Sequence, residues 1–225
     1  MDLLRRMQHV LEALLLVSIN VHVGGGAVRD MVLGLGKPKD LDVVMLAPDD
    51  GQILRAVDVL GHIGYVPYAS FGLAAGYYGD RGQFHDDVEY AAENGDGTFD
   101  ERWRVLLKFK HAVTGEELDL LCSHTDDILE LVGSYDYNIN QYVLLPGDNQ
   151  ARFLGNLEGI LHKLREDGVC LNRQTKMYQK GIAAGWDISG AIPETRRGMS
   201  SEEVDAALGD LPSMPQSDTY AALPL

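Results

Sequence analysis

Asp40 and Asp42 are the residues of this 225-residue chain whose type and spacing point most directly to chemistry. They stand at the mouth of the apolar stretch Leu41–Leu46, which reads as a strand, and strand residues two apart project from one face. Two carboxylates side by side repel, the more so as water is excluded, unless a cation sits between them. Oxygen ligands of this kind suit Mg²⁺, which takes one or two carboxylates together with substrate phosphates. A solvated pair at a strand edge is the other reading. Upstream, Gly24-Gly25-Gly26 follows the alternating, β-branched stretch Ile19–Val23 and leads into a helical pattern at Ala27–Leu35. Glycines at such a junction let backbone N–H groups approach an anion, and the helix start adds its positive end. A plain tight turn has the same sequence.

Joined together, these pieces read VGGGAVRDMVLGLGKPKDLDVVM over Val23–Met45. The compound pattern resembles the signature of the nucleotidyltransferase superfamily that includes DNA polymerase beta. More narrowly, it is similar to the branch of tRNA CCA-adding enzymes and bacterial poly(A) polymerases, which reads GG-x-VRD-x-LLG followed by D-x-D. Gly25, Gly26, Val28, Arg29, Asp30, Leu33 and Gly34 match, and Asp40 and Asp42 follow at the expected distance. The superfamily places a third carboxylate on a later apolar strand, and Leu118-Asp119-Leu120-Leu121 fits that pattern. Glu117, two residues earlier and on the same face, competes with Asp119, which is preferred because apolar residues flank it on both sides. Tyr135–Asn140 resembles the RRDFTIN segment of the branch through Asp136, Ile139 and Asn140, with Ser134 and Tyr135 where the arginine pair stands. Arg173–Ile188 resembles a helix that the branch writes LRMLRAVRFAARLGFEI, with Arg173 and Lys176 at basic positions. The acidic pair that precedes this helix in CCA-adding enzymes aligns with Val169 and Cys170.

The resemblance runs from about Val21 to Ile188, and it implies a specific chemistry. Asp40, Asp42 and Asp119 would be the catalytic, metal-holding carboxylates, binding two Mg²⁺ ions, with Mn²⁺ as a possible replacement. One ion would lower the pKa of an acceptor hydroxyl and the other would steady the departing pyrophosphate. Gly25, Gly26 and Arg29 would cradle the β and γ phosphates of an NTP, ATP or CTP. Asp136, Asn140, Arg173 and Lys176 complete the implied nucleotide site, and Asp30 is expected to be structural. The implied acceptor is an RNA 3′ end of the tRNA type. Transfer to a protein or small molecule, and a catalytically silent nucleotide-binding module, are the alternatives.

The elements that must position these residues are α/β in the broad sense. The expected fold is a mixed, partly antiparallel sheet flanked by helices, with a small helical, neck-like appendage. A catalytic head is expected over 1–150 with an acidic insertion near 72–100, a helical segment over 151–192, and a flexible acidic tail over 193–225. Trp103–His111 and Glu117–Cys122 read as strands joined through Thr114-Gly115. Gln52–Leu60, Thr125–Val132, Phe153–Arg165 and Arg173–Ala184 read as helices. Leu3, Leu4, Met7, Leu11, Leu14, Leu15 and Ser18 form one stripe, so the N-terminal region reads as an amphipathic helix in preference to a signal peptide.

Composition narrows the classes further. An apolar fraction of 45% excludes wholesale disorder. Nineteen basic against thirty-four acidic residues give 19 − 34 = −15, which argues against a protein that coats nucleic acid, though not against an enzyme with a local basic patch. Two cysteines, Cys122 and Cys170, cannot build a disulfide framework, so no disulfide-linked partner is expected. No apolar run is long enough to span a membrane, and a cytoplasmic location is expected.

Overall fold

In the computed structural model, the described residues are 3–72, 83–84, 102–165, 169 and 171–191. The acidic stretch near 72–100, apart from Gly72 and the backbone of 83–84, lies outside them, as do Cys170 and the tail 193–225. One compact unit spans Met1–Ala191.

In chain order the elements are α1 (Leu3–Leu14), β1 (Val21–Gly24), α2 (Gly25–Val32), β2 (Asp40–Met45), α3 (Asp50–His62), β3 (Tyr65–Gly72) and β4 (Gln83–Phe84). They continue with β5 (Trp103–His111), β6 (Glu117–Ser123), α4 (Ile128–Gly133), β7 (Tyr142–Val143), β8 (Arg152–Phe153) and α5 (Leu171–Ala183). Single 3₁₀ turns lie at Asn138–Asn140 and Ser189–Ala191. Six of these strands form one mixed sheet in the order β1-β2-β6-β5-β3-β4. β2 runs parallel to β6, whereas β1–β2, β6–β5 and β5–β3 are antiparallel. The mixed, partly antiparallel α/β architecture is therefore as the sequence pattern implies.

Alternation along the strands divides the sheet into two chemically distinct faces. Leu41, Val43 and Met45 of β2, Leu118, Leu120 and Cys122 of β6, and Val105, Leu107 and Phe109 of β5 turn into one core. Met7, Val10, Leu11 and Leu14 of α1 and Ile53, Ala56, Val57 and Leu60 of α3 close that core from one side. Helix α3 is anchored by a capping box in which Asp49 Oδ1 accepts from Gln52 N (2.7 Å) and Gln52 Oε1 accepts from Asp49 N (2.9 Å). The opposite face carries Asp40, Asp42, Glu117, Asp119, Lys108 and Lys110. The chain needs both faces, because the buried one holds still the strands that display the polar one. Cys122 belongs to the buried face, where burial pushes its thiol up to about 12.

Two elements differ from the sequence expectation. Phe153–Arg165 is not a helix: Arg152–Phe153 pairs with Tyr142–Val143, and the residues after it form turns. The reason is Asn138, whose Nδ2 donates to Leu157 O (2.8 Å) and Ile160 O (2.7 Å) while its Oδ1 accepts from His162 N (2.8 Å). One buried amide thus takes backbone groups that a helix would pair internally. Gly159, at φ +86°, adds a backbone conformation no helix continues through. The second difference is smaller: the helix expected from Thr125 starts at Ile128, because Asp127 Oδ1 accepts from Leu129 N and caps it there. Leu161, Val169, Met177 and Trp186 join the same core as α1 and β2. Among the described residues no helix is long and apolar enough to cross a membrane.

Leu120 is fully buried beside Asp119, on the opposite face of β6. Leu120→Ala should cost about 2–5 kcal/mol in urea unfolding, the usual range for a buried leucine whose cavity only partly relaxes; a loss near zero would contradict this packing.

Candidate active site

Strand register builds the acidic cluster. Gly24 pairs with Asp42, Asp42 with Asp119, and Asp119 with Lys108, so these four form one row across β1, β2, β6 and β5. Asp40, Glu117 and Lys110 form the adjacent row. Both candidates for the third carboxylate therefore face the same way, and their surroundings separate them. Glu117 lies opposite Asp40 and pairs with the exposed Lys110 at 3.7 Å. Asp119 lies directly opposite Asp42 and feels the charge of both Asp42 and Asp40.

The electrostatics follow from that crowding. Burial, and then the charge of Asp40, pushes the Asp42 carboxyl up to about 6, against a hydrogen bond from the Gly26 backbone N–H and the attraction of Arg173 and Arg29. Burial likewise pushes Asp119 up to about 7, with Asp42 and Asp40 adding to the rise and Lys108 opposing it. Lys108 Nζ stands 3.9 Å from Asp119 Oδ2. Among the described residues neither Asp40 nor Asp42 forms a salt bridge. Nor do any three Asp, Glu, His or Cys side chains among them lie close enough, as they stand, to hold a metal ion. The donor set nevertheless fits a hard cation: it is all oxygen, it occupies facing register positions, and its members raise one another's affinity for positive charge.

The glycine turn is fitted to this cluster. Gly25 has φ +62°, and a Cβ there would stand 2.8 Å from Asp42 Oδ2. Glycine is therefore required on two independent grounds, backbone conformation and the approach of the carboxylate. The Gly26 N–H bonded to Asp42 shows a use of the turn beyond the anion cradle expected from sequence: it orients the carboxylate.

A second cluster, of cations, packs against the first. Arg29 is 3% exposed on α2. Its Nε donates to Asp30 Oδ1 (2.8 Å) and one terminal nitrogen donates to Asn140 Oδ1 (2.5 Å). Asn140 Nδ2 donates in turn to Asp136 Oδ1 (2.8 Å), and Arg173 Nε donates to Asp136 Oδ2 (2.5 Å). Although burial opposes the charged form, Arg173, Asn140 and the Tyr137 backbone N–H hold Asp136 below the usual carboxylate range. Lys180 Nζ reaches Asp30 Oδ2 (3.1 Å). Burial, and then repulsion from Arg173, Arg29 and Lys180, holds the Lys176 ammonium below its usual value, against attraction from Asp40.

The structure thus brings Asp40, Asp42, Asp119, Gly25, Gly26, Arg29, Asp136, Asn140, Arg173 and Lys176 into one region. Three of them form one hydrogen-bonded chain. Arg29, Asn140 and Asp136 bond to one another inside the protein, because each finds a partner of opposite polarity there. Asp30 is structural, as expected, through its bonds to Arg29 and Lys180. The sequence reading missed Lys180, although it lies seven residues after Arg173 and four after Lys176, on one stripe of a helix. It also missed Tyr135, whose hydroxyl lies 3.2 Å from the Cβ position of Gly24. Trp186 is buried against Tyr142 and Phe153. Compared with known protein families and with curated proteins, the chain matches none.

The raised carboxyls fix the sign of a pH effect. Asp42 and Asp119 bind protons more tightly folded than unfolded, so metal-free stability should fall as pH rises from about 4 through 7. Thermal melting should show that decline, Asp119→Asn should flatten it, and Mg²⁺ should raise the melting temperature at pH 8 far more than at pH 5. Stability that climbs across this window, or is indifferent to Mg²⁺ at pH 8, would contradict the assignment.

Proposed function

We propose that this chain is a metal-dependent nucleotidyltransferase of the DNA polymerase beta-like superfamily, within the branch of CCA-adding enzymes and poly(A) polymerases. It moves a nucleoside monophosphate from an NTP, ATP or CTP, to an acceptor hydroxyl. The acceptor oxygen bonds to the α phosphorus, the bond from that phosphorus to the bridging oxygen breaks, and pyrophosphate leaves. The preferred acceptor is an RNA 3′ end of the tRNA type, and the reaction is placed in the cytoplasm.

One observation carries this reading: three carboxylates that crowd one another, Asp40, Asp42 and Asp119, lie near the cations Arg173 and Lys176 of α5, whose charges reach Asp42 and Asp40. Arg29 and Lys180 are bonded to Asp30, and Arg173 to Asp136, so these cations are held in place. Of the three carboxylates, Asp119 has Lys108 at 3.9 Å. A magnesium-bound triphosphate, which carries both signs of charge, would complement the carboxylates and the cations Arg173 and Lys176 together. Asp40, Asp42 and Asp119 would hold the ion, which when bound neutralises phosphate charge and makes a coordinated hydroxyl more acidic. Gly26 orients Asp42, and α5 presents its cations to the leaving phosphates, so the protein contributes positioning and electrostatics.

The net charge of −15 supports a second acceptor class, a protein or small molecule. An RNA acceptor has to be gripped by local cations, and such binding weakens steeply as salt rises. A silent binding module is disfavoured because all three carboxylates are present.

The test is incorporation of each of four α-labelled NTPs into total RNA with Mg²⁺, beside a variant carrying Asp40→Ala and Asp42→Ala. Label in RNA that disappears in the variant is the expected result. Label in protein or a small molecule would move the acceptor to the second class, and no label in any fraction would contradict the proposal.

A further inference from the structure

We infer that Arg29 and Asp30 of α2, with Lys180 of α5, form a buried clasp that seats Arg173 and Lys176 against the carboxylates. Its consequence for substrate rests on the nucleotidyl-transfer reading above; the clasp itself does not. Arg29 is the middle residue of the Val28-Arg29-Asp30 sequence that follows the glycine turn, where an exposed guanidinium would suit a phosphate. Its side chain is only 4% exposed, and its bonds go to Asp30, Asn140 and, more weakly, Met177 Sδ at 3.6 Å. Nε and one terminal nitrogen of this guanidinium are bonded within the protein, so Arg29 holds Asp30 and Asn140 in place.

The route of those bonds gives the clasp its function. From Asp30 the chain of contacts runs one way to Lys180 (3.1 Å) and the other way through Arg29, Asn140 and Asp136 to Arg173. Lys180 and Arg173 are two helical turns apart on one face of α5, with Lys176 and Met177 between them. Met177 is fully buried and touches both Arg29 and Asn140 through its sulfur. Helix α5 is therefore pinned to α2 at both ends of its cationic stripe. Lys180 also reaches Leu35 O at 3.5 Å, tying α5 to the segment that leads into β2. The stripe cannot rotate or slide without breaking a charged hydrogen bond. Asp30 and Lys180 are accordingly positioning residues, which touch no substrate and fix the cations that do.

The experiment uses the full chain with Asp30→Asn, Lys180→Met, both together, and Lys180→Arg. Binding of labelled ATP and CTP with Mg²⁺ is titrated well below each variant's melting temperature, and amide exchange is followed over Leu171–Ala183. Each single change should weaken nucleotide binding about 10-fold, the scale of one charged hydrogen bond. The double variant should be no weaker than the weaker single, because the two residues act as one unit. Lys180→Arg should stay close to the unmodified chain, and exchange in α5 should rise in the two singles. Unchanged nucleotide binding in folded variants, additive losses in the double variant, or unchanged exchange in α5 would overturn the clasp. If the unmodified chain binds neither nucleotide, the proposed function fails and exchange alone judges the clasp: faster exchange supports it, and unchanged exchange overturns it.

Discussion

Repulsion between like charges held in fixed places is the constraint on which the rest of this structure depends. Asp42 and Asp119 face each other across a parallel strand pair, with Asp40 one row away. Left to themselves, carboxylates would separate or take up protons, and the raised affinity of Asp42 and Asp119 for protons expresses that tension. They stay together because β2 and β6 are fixed from behind by a continuous apolar face. The core beneath the sheet offsets the electrostatic cost above it.

The same logic governs the cations. Arg29, Arg173 and Lys180 are each tied to a carboxylate, and Lys176 is crowded by all three. A site whose carboxylates and cations are each immobilised is preorganised: little reorganisation is needed when a ligand carrying both signs arrives. The glycine turn serves both groups, with its backbone directed to Asp42 and its helix carrying Arg29. Removing the side chain at Gly25 from the chemistry is thus as much a part of the site as adding a carboxylate at Asp42.

What was legible in the sequence follows from how local the causes are. Asp40 and Asp42 share a face because strands alternate, and their neighbours Leu41 and Val43 declare the strand. Asp119 was legible for the same reason, flanked by Leu118 and Leu120. The place of Arg29 was not, because its burial depends on Asn140, 111 positions later, and on a helix beginning at Leu171. Phe153–Arg165 was misread because its periodicity suits a helix, while a single amide at Asn138 removes the backbone groups a helix needs. Local pattern located β1, β2, β5 and β6 and the acidic residues they carry; long-range hydrogen bonds decided how Arg29 and Arg173 are held.

The most direct measurement is calorimetric titration of ATP and of CTP with and without Mg²⁺, at one pH and ionic strength. If a single ligand completes both charge clusters, metal and triphosphate must strengthen each other's binding, since each removes repulsion that opposes the other. The account predicts affinity at least about 10-fold higher with Mg²⁺ than without it, a coupling of about 1.4 kcal/mol or more. Equal affinity in the two conditions would show that the carboxylates and the cations do not serve one ligand, and would contradict the account.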